Sequence, residues 1–393
     1  MKDWSYQSNF IIMYKSISFA AIVLLVSCSS SDEQAQGTTN IADALAGLNL
    51  PSSPYNYSNQ TIPGYITKDN TPIGQSIDDN VATLGRVLFY DTNLSVNNSV
   101  SCASCHQQSL AFSDEDVQSS GLSGGLTGRH AMRLINARFS NESRFFWDER
   151  AVNLEDQVTQ PIQDHVEMGF SGTDGDPNLD DLITRLNGLS YYPVLFNYAF
   201  DSSEINEEKI QRALAQFVRS IQSFDSKYDV GRASAPNDLA PFSNYSAQEN
   251  LGKTLFLNPS NMDGAGCAGC HAPPEFSIDP QSLNNGIISL AGSALGTDLT
   301  NTRAPSLRDV TNVQGVINGP LMHNGAFTDL LQVVNHYNNV TVNANIDNRL
   351  RGPNNQGQQL NLTEAEKLAL VAFLNTLSGS NVYSDVKWSN PFQ

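Results

Sequence analysis

The chain has 393 residues, with 22 basic against 40 acidic side chains and a formal charge of −18. That length exceeds one ordinary core and implies two domains, at roughly 150–200 residues each. An apolar content of 40% excludes global disorder. The acidic balance argues against nucleic acid as a partner, because phosphate binding needs a basic surface; it suits solubility or a basic protein partner.

Lys15 precedes an apolar run from Ile17 to Val26, which ends Leu25-Val26-Ser27-Cys28. A basic residue, an apolar core of about 7–15 residues and small residues at its end describe a secretory signal. The run is shorter than the about 20 residues that a bilayer span needs. Cysteine after the small residue resembles a bacterial lipoprotein box, which implies cleavage before Cys28, lipidation there and a membrane anchor. The alternative is a secreted chain with a free thiol. Residues 1–27 are expected to be the signal peptide, its first dozen residues an upstream start. Residues 28–60, rich in Ser, Asn, Gln and Pro, are expected to be a flexible tether. Together these features predict an exported protein, lipid-anchored in the cell envelope, at the outer membrane facing the periplasm.

The remaining elements read as helical. Apolar spacing predicts helices over 79–90, 154–163, 204–224, 247–257, 328–336 and 363–377, the last opened by a capping box of Thr363 and Glu366. Strand patterns are scarce, and Gly-, Pro- and Asn-rich loops fall at 171–180, 231–245 and 284–302. Four of the five cysteines lie in two matching runs, Cys102-Ala103-Ser104-Cys105-His106 and Cys267-Ala268-Gly269-Cys270-His271. CxxCH is the attachment signature of c-type haem: two thiols for two vinyl groups, then a histidine beneath the iron. A zinc site would not need histidine after each pair, and a thiol–disulfide motif would not usually occur twice with histidine following. Leu84-Gly85-Arg86-Val87-Leu88-Phe89 before the first run is matched by Leu251-Gly252-Lys253-Thr254-Leu255-Phe256 before the second. Phe112-Ser113 and Phe276-Ser277 follow them, and Arg133-Leu134-Ile135-Asn136 answers Arg303-Ala304-Pro305-Ser306. The expected fold is therefore mostly α, two cytochrome c-like haem domains in tandem, at 61–235 and 236–393.

Between and after the haem motifs stand Phe146-Trp147-Asp148-Glu149-Arg150-Ala151, Leu154-Glu155-Asp156-Gln157, Pro161-Ile162 and Glu167-Met168-Gly169, then Arg303 to Arg308, Pro320 to Gly325 and His336-Tyr337. In these stretches the sequence resembles the bacterial dihaem cytochrome c peroxidase family, which includes the protein-modifying enzyme MauG. The resemblance implies that His106 ligates the peroxidatic haem, with Glu167 as the distal acid and base and Gln157 as its neighbouring amide. It implies Trp147 between the haems, where the bare residue pattern reads equally as core packing. It implies His271 on the second haem and Tyr337 as that iron's other ligand, with Met322, His323 and His336 as rivals. The peroxidases that need reductive activation carry a displaceable histidine on a loop that corresponds to 119–127, where this chain has none. His130 is the remaining candidate to close that site, and His165 is a candidate to line it. A calcium ion through carbonyls near Asn318 and Pro320 is a further expectation. Three functions follow: reduction of hydrogen peroxide with a small electron donor such as cytochrome c; MauG-like oxidation of Trp or Tyr on a protein substrate; or non-enzymatic electron transfer. The resemblance leaves a homodimer open.

Overall fold

A computed structural model describes residues 41–293 and 295–392. In chain order the helices are α1 (Ile41–Ala44), α2 (Asp79–Tyr90), α3 (Cys102–Cys105), α4 (Leu154–Thr159), α5 (Leu179–Gly188), α6 (Tyr191–Phe200), α7 (Glu207–Ser220), α8 (Lys227–Ser234), α9 (Ala247–Leu257), α10 (Leu330–Asn338) and α11 (Glu364–Asn375). Among the described residues β-pairing is confined to isolated bridges. The mostly α expectation holds.

The internal repeat is visible in the packing. α2 crosses α7 in the first half, and α9 crosses α11 in the second. Each crossing has a glycine where backbones meet: a Cβ on Gly85 would collide with the Ala213 carbonyl, and one on Gly252 with that of Ala369. Only glycine permits so close an approach. Phe89 meets Phe112 and Phe217 at ring-centroid distances of 6.0 and 5.1 Å; Phe256 meets Phe276 and Phe373 at 5.8 and 5.2 Å. These tilted and edge contacts are the favoured ones for buried rings. The same two-helix clamp thus stands behind each CxxCH run.

Caps decide where helices begin and end. Asn206 accepts from the Lys209 N–H at 3.0 Å, so α7 starts three residues after the expected 204. α4 stops at Thr159 rather than 163: Gln160 still has helical dihedrals, but Pro161 lacks the N–H that the next turn would need. Thr363 and Glu366 form the expected capping box. Beyond the single turns α1 and α3, three longer helices escape the periodicity reading. α5 lies at the edge of the expected 171–180 loop, α6 is a nearly all-apolar segment without a polar face, and α8 opens inside a Gly/Ser-rich stretch through a Ser226–Asp229 capping box.

Two boundaries differ from the expectation. The described portion of the tether is packed, not free. Tyr57 is 1% exposed, and its N–H and that of Ser58 both donate to Asp79 Oδ1 at 2.8 Å. Asn49 N–H donates to the Pro391 carbonyl at 2.6 Å. A tyrosine that buries its ring and satisfies its hydroxyl on Lys387 overrides the polar composition around it. The division at 235/236 is also crossed: Tyr228 belongs to the second core, while Val382 and Trp388 return to the first. Cys28 and its lipoprotein box lie outside the described residues. No helix among the described residues is long and apolar enough to cross a membrane.

Candidate active site

Two cavities of about 270 and about 440 Å³ share a wall that includes His130, Arg133, Trp147, Arg303 and Pro305. The smaller is lined by Cys105, His106, Gln157, Glu167 and Trp147, so the sequence-predicted set converges. Cys102 packs against the first core from the same helical turn as Cys105. Its neighbour Ser101 holds that turn by donating its N–H to Ser104 Oγ at 3.0 Å. His106 Nδ1 faces the Phe112 carbonyl at 3.2 Å. That contact favours a proton on Nδ1 and leaves the Nε2 lone pair for a metal. Burial pushes the Cys102 thiol up to about 12 and the Cys105 thiol up to about 11. A redox dithiol needs a depressed value, so the direction of the shift counts against the thioredoxin-like alternative.

Glu167 is held by the turn before it. Asp164 Oδ1 accepts from the N–H groups of Val166 (2.8 Å) and Glu167 (3.0 Å). Met168 is buried, and Gly169 stands at φ +82°, where a Cβ would collide with the Leu122 side chain. Only glycine takes that conformation without strain there. The Glu-Met-Gly run is therefore a carboxyl aimed into the cavity, an apolar anchor and an obligatory hinge. Burial pushes the Glu167 carboxyl up to about 7; the Asp164 carboxylate adds to the rise and the Arg150 guanidinium opposes it. Gln157, on α4, lines the same space.

The 119–127 loop closes against this turn, with the Leu122 N–H donating to the Val166 carbonyl at 2.8 Å. His130 is committed elsewhere: its ring nitrogens face the Asp116 carbonyl at 2.9 Å and Ser113 Oγ at 3.3 Å. His165 does not line the cavity. It is exposed and pairs with Asp176 at 2.7 Å, because it sits on the outer side of the turn that aims Glu167 inward.

The larger cavity is lined by Cys267, Cys270, His271, Met322, His323 and Tyr337. The Asn285 amide donates both to the Tyr337 hydroxyl and to Met322 Sδ, each at 3.3 Å. His336 is turned away, its Nε2 facing the Asn285 carbonyl at 2.8 Å. His323 Nδ1 meets the Asn301 amide at 2.9 Å, and its ring stands edge-on to Trp147. Burial pulls the His271 imidazole down to about 4, the Phe276 carbonyl opposing the shift without forming a hydrogen bond to Nδ1. Burial also holds Tyr337 well above the ordinary phenol range, with Asn285 opposing. Tyr337 and Met322 remain as rivals for one position.

Trp147 lies in the shared wall. Its Nε1–H donates to the His130 carbonyl at 2.8 Å, and its own carbonyl accepts from Thr302 (2.9 Å) and Arg303 (3.1 Å). Free thiols, an available imidazole and a cavity in each half fit two c-type haems. Sequence reading missed Arg133 and Arg303 as cavity residues, although their pairing in the repeat was the signal. It also missed Asn285, for which no motif exists. Asn318 donates its amide to the Asp309 carbonyl and to Tyr383, each at 2.8 Å, and Pro320 rims the larger cavity. Among the described residues no cluster of three His, Cys, Asp or Glu could hold a metal ion.

A family profile described as di-haem cytochrome c peroxidase matches residues 79–234. The methylamine utilization protein MauG of Methylorubrum extorquens is 32% identical over 75% of this chain and 77% of its own length. That of Methylophilus methylotrophus is 27% identical over 87% and 93%. The cytochrome c551 peroxidase of Nitrosomonas europaea is 26% identical over 76% and 80%. Among solved structures, a MauG-like protein associated with microbial copper homeostasis superimposes with a TM-score of 0.66 at 26% identity, over 85% of this chain and 99% of that one.

Proposed function

This chain belongs to the di-haem cytochrome c peroxidase family, an oxidoreductase with two haem cofactors, and on that premise we propose that it reduces hydrogen peroxide to water with electrons from a small redox protein such as a cytochrome c. Haem attached at Cys102 and Cys105, with His106 on its iron, would supply the redox-active Lewis acid for this chemistry. The observation that carries the proposal is Glu167: a half-buried carboxyl that shares one cavity with His106, Gln157 and Trp147 and is pushed up to about 7. Near neutral pH it is divided between acid and base. As carboxylate it takes a proton from one peroxide oxygen, and as acid it returns that proton to the other, which leaves as water. Gln157 orients peroxide for this transfer. The balance is hydrogen peroxide, two electrons and two protons giving two waters; the donor supplies the electrons through the His271 side, and Trp147 bridges the wall. Treating the ferric protein with peroxide and then adding reduced cytochrome c tests this. Rapid, catalytic oxidation of the cytochrome is expected; no reaction with peroxide refutes it.

A MauG-like oxidation of Trp or Tyr on a protein substrate is the second reading. Tyr337 favours it, since a phenol shares the larger cavity with His271. The surroundings favour the neutral phenol, so ligation would require the iron's charge to displace its proton. A persistent oxidised form with poor cytochrome turnover would select this reading. Gln157 and Glu167 count against bare electron transfer.

Export and lipid anchoring at Cys28, in an envelope membrane facing the periplasm, belong to the same proposal and rest on the leading sequence. Fatty-acid labelling that survives in Cys28→Ala would contradict them. The calcium ion expected near Asn318 and Pro320 has no role in the chemistry proposed.

A further inference from the structure

Arg133 and Arg303 are arginines without anions. Each lines both cavities, flanking Trp147. Arg303 is 9% exposed, and the Nε of each is buried without a hydrogen-bond partner. Arg133 donates from Nη2 to the Ser306 carbonyl at 3.0 Å, and Arg303 lies 4.3 Å above the Phe145 ring. Among the described residues neither forms an ion pair, whereas the buried Arg219 and Arg308 meet Glu155 (2.5 Å) and Asp229 (2.9 Å). Burial depresses both seam guanidiniums to about 10; Asp309 and Tyr383 for Arg133, and Glu142 and Glu149 for Arg303, oppose that only incompletely. A buried cation without a counter-charge is costly, so the seam is built to be completed by anions.

We propose that Arg133 and Arg303 would bind haem propionate carboxylates at the shared wall, and thereby tie the two reduction potentials to one cluster of charge. Planar guanidinium matches carboxylate geometry, and both arginines reach both cavities. Arg303 is fastened to Trp147 through its backbone N–H, so the same contact positions the bridging indole. These are positioning residues, and the inference rests on the two-haem reading above.

The test is spectroelectrochemistry of the holoprotein, after a haemochrome assay has counted the haems. Fewer than two haems in the unaltered protein defeats the family-based reading itself. With two haems present, Arg133→Gln and Arg303→Gln are expected to lower both midpoint potentials, because removing positive charge favours the ferric state. Each variant should also gain a pH dependence of potential between about pH 5 and 8, as an unpaired propionate begins to titrate. Arg303→Lys should restore much of the potential. Unchanged potentials and pH profiles in both Gln variants would overturn the inference. Should those variants fail to fold, the unaltered protein still decides it: flat potentials from pH 5 to 8 support the clamp, and a propionate-type titration there refutes it.

Discussion

The two halves use one clamp for two purposes. Gly85 and Gly252 allow the same close helix crossing, the same aromatic triad fills each, and a CxxCH run follows each. The cavities in front of these clamps differ. The first presents a carboxyl and an amide, Glu167 and Gln157; the second presents Tyr337 and Met322 around Asn285. The repeat thus fixes how a haem is held, and the residues outside it fix what happens there. Under the proposed function, proton-transfer chemistry would belong to the first cavity, and electron storage and entry to the second.

The largest effects should come from removing one attachment site at a time. Cys102→Ser with Cys105→Ser should abolish reaction with peroxide. Cys267→Ser with Cys270→Ser should leave the first encounter with peroxide and abolish turnover with cytochrome, read by stopped-flow absorbance. Equal losses of the first encounter would break the division of labour. Next, Gly85→Val and Gly252→Val should each destabilise by at least about 2 kcal/mol in denaturant unfolding, since a side chain must push the crossing backbones away from each other. A large effect at only one would break the equivalence of the clamps. Tyr337→Phe should change the spectrum of the second haem alone; if Met322→Leu changes it and Tyr337→Phe does not, methionine is the ligand. Trp147→Phe should slow transfer between the centres, read by stopped-flow absorbance, while leaving the peroxide step intact.

A stability effect separates the cavities further. The Glu167 carboxyl binds its proton more tightly in the folded state, about 7 against 4.5. Its contribution is therefore favourable at low pH and is lost as pH rises through about 7. Glu167→Gln should be more stable than the parent at pH 8, by about 3 kcal/mol, and indistinguishable near pH 4. A thermal-melt series over pH measures this. His165→Ala, on the outer side of the same turn, should change nothing.

One side of each clamp is legible in the sequence, because a Gly at the crossing, a CxxCH run and a Phe-Ser pair recur in the same order; the partner helices α7 and α11 lie far along the chain. The convergence of Trp147, Gln157 and Glu167 is legible only through resemblance, since no helical period joins α4 to the turn at 164–169. The packed tether is hidden because polar composition conceals a single anchoring residue, Tyr57. The return of Trp388 to the first core is illegible because it depends on contacts across nearly the whole chain. Arg133 and Arg303 stand out in the sequence as repeat markers, yet only the structure shows that both face both cavities.

The central claim is that Glu167 moves the proton in peroxide cleavage at the first cavity. The most direct test is the second-order rate of reaction with hydrogen peroxide between pH 5 and 9, for the parent and for Glu167→Gln. The parent rate should fall as pH drops through about 7, where the carboxylate is lost. The variant should be slower by about 10²–10⁴-fold and lack that inflection. A variant that keeps the parent's rate and its inflection would contradict the account.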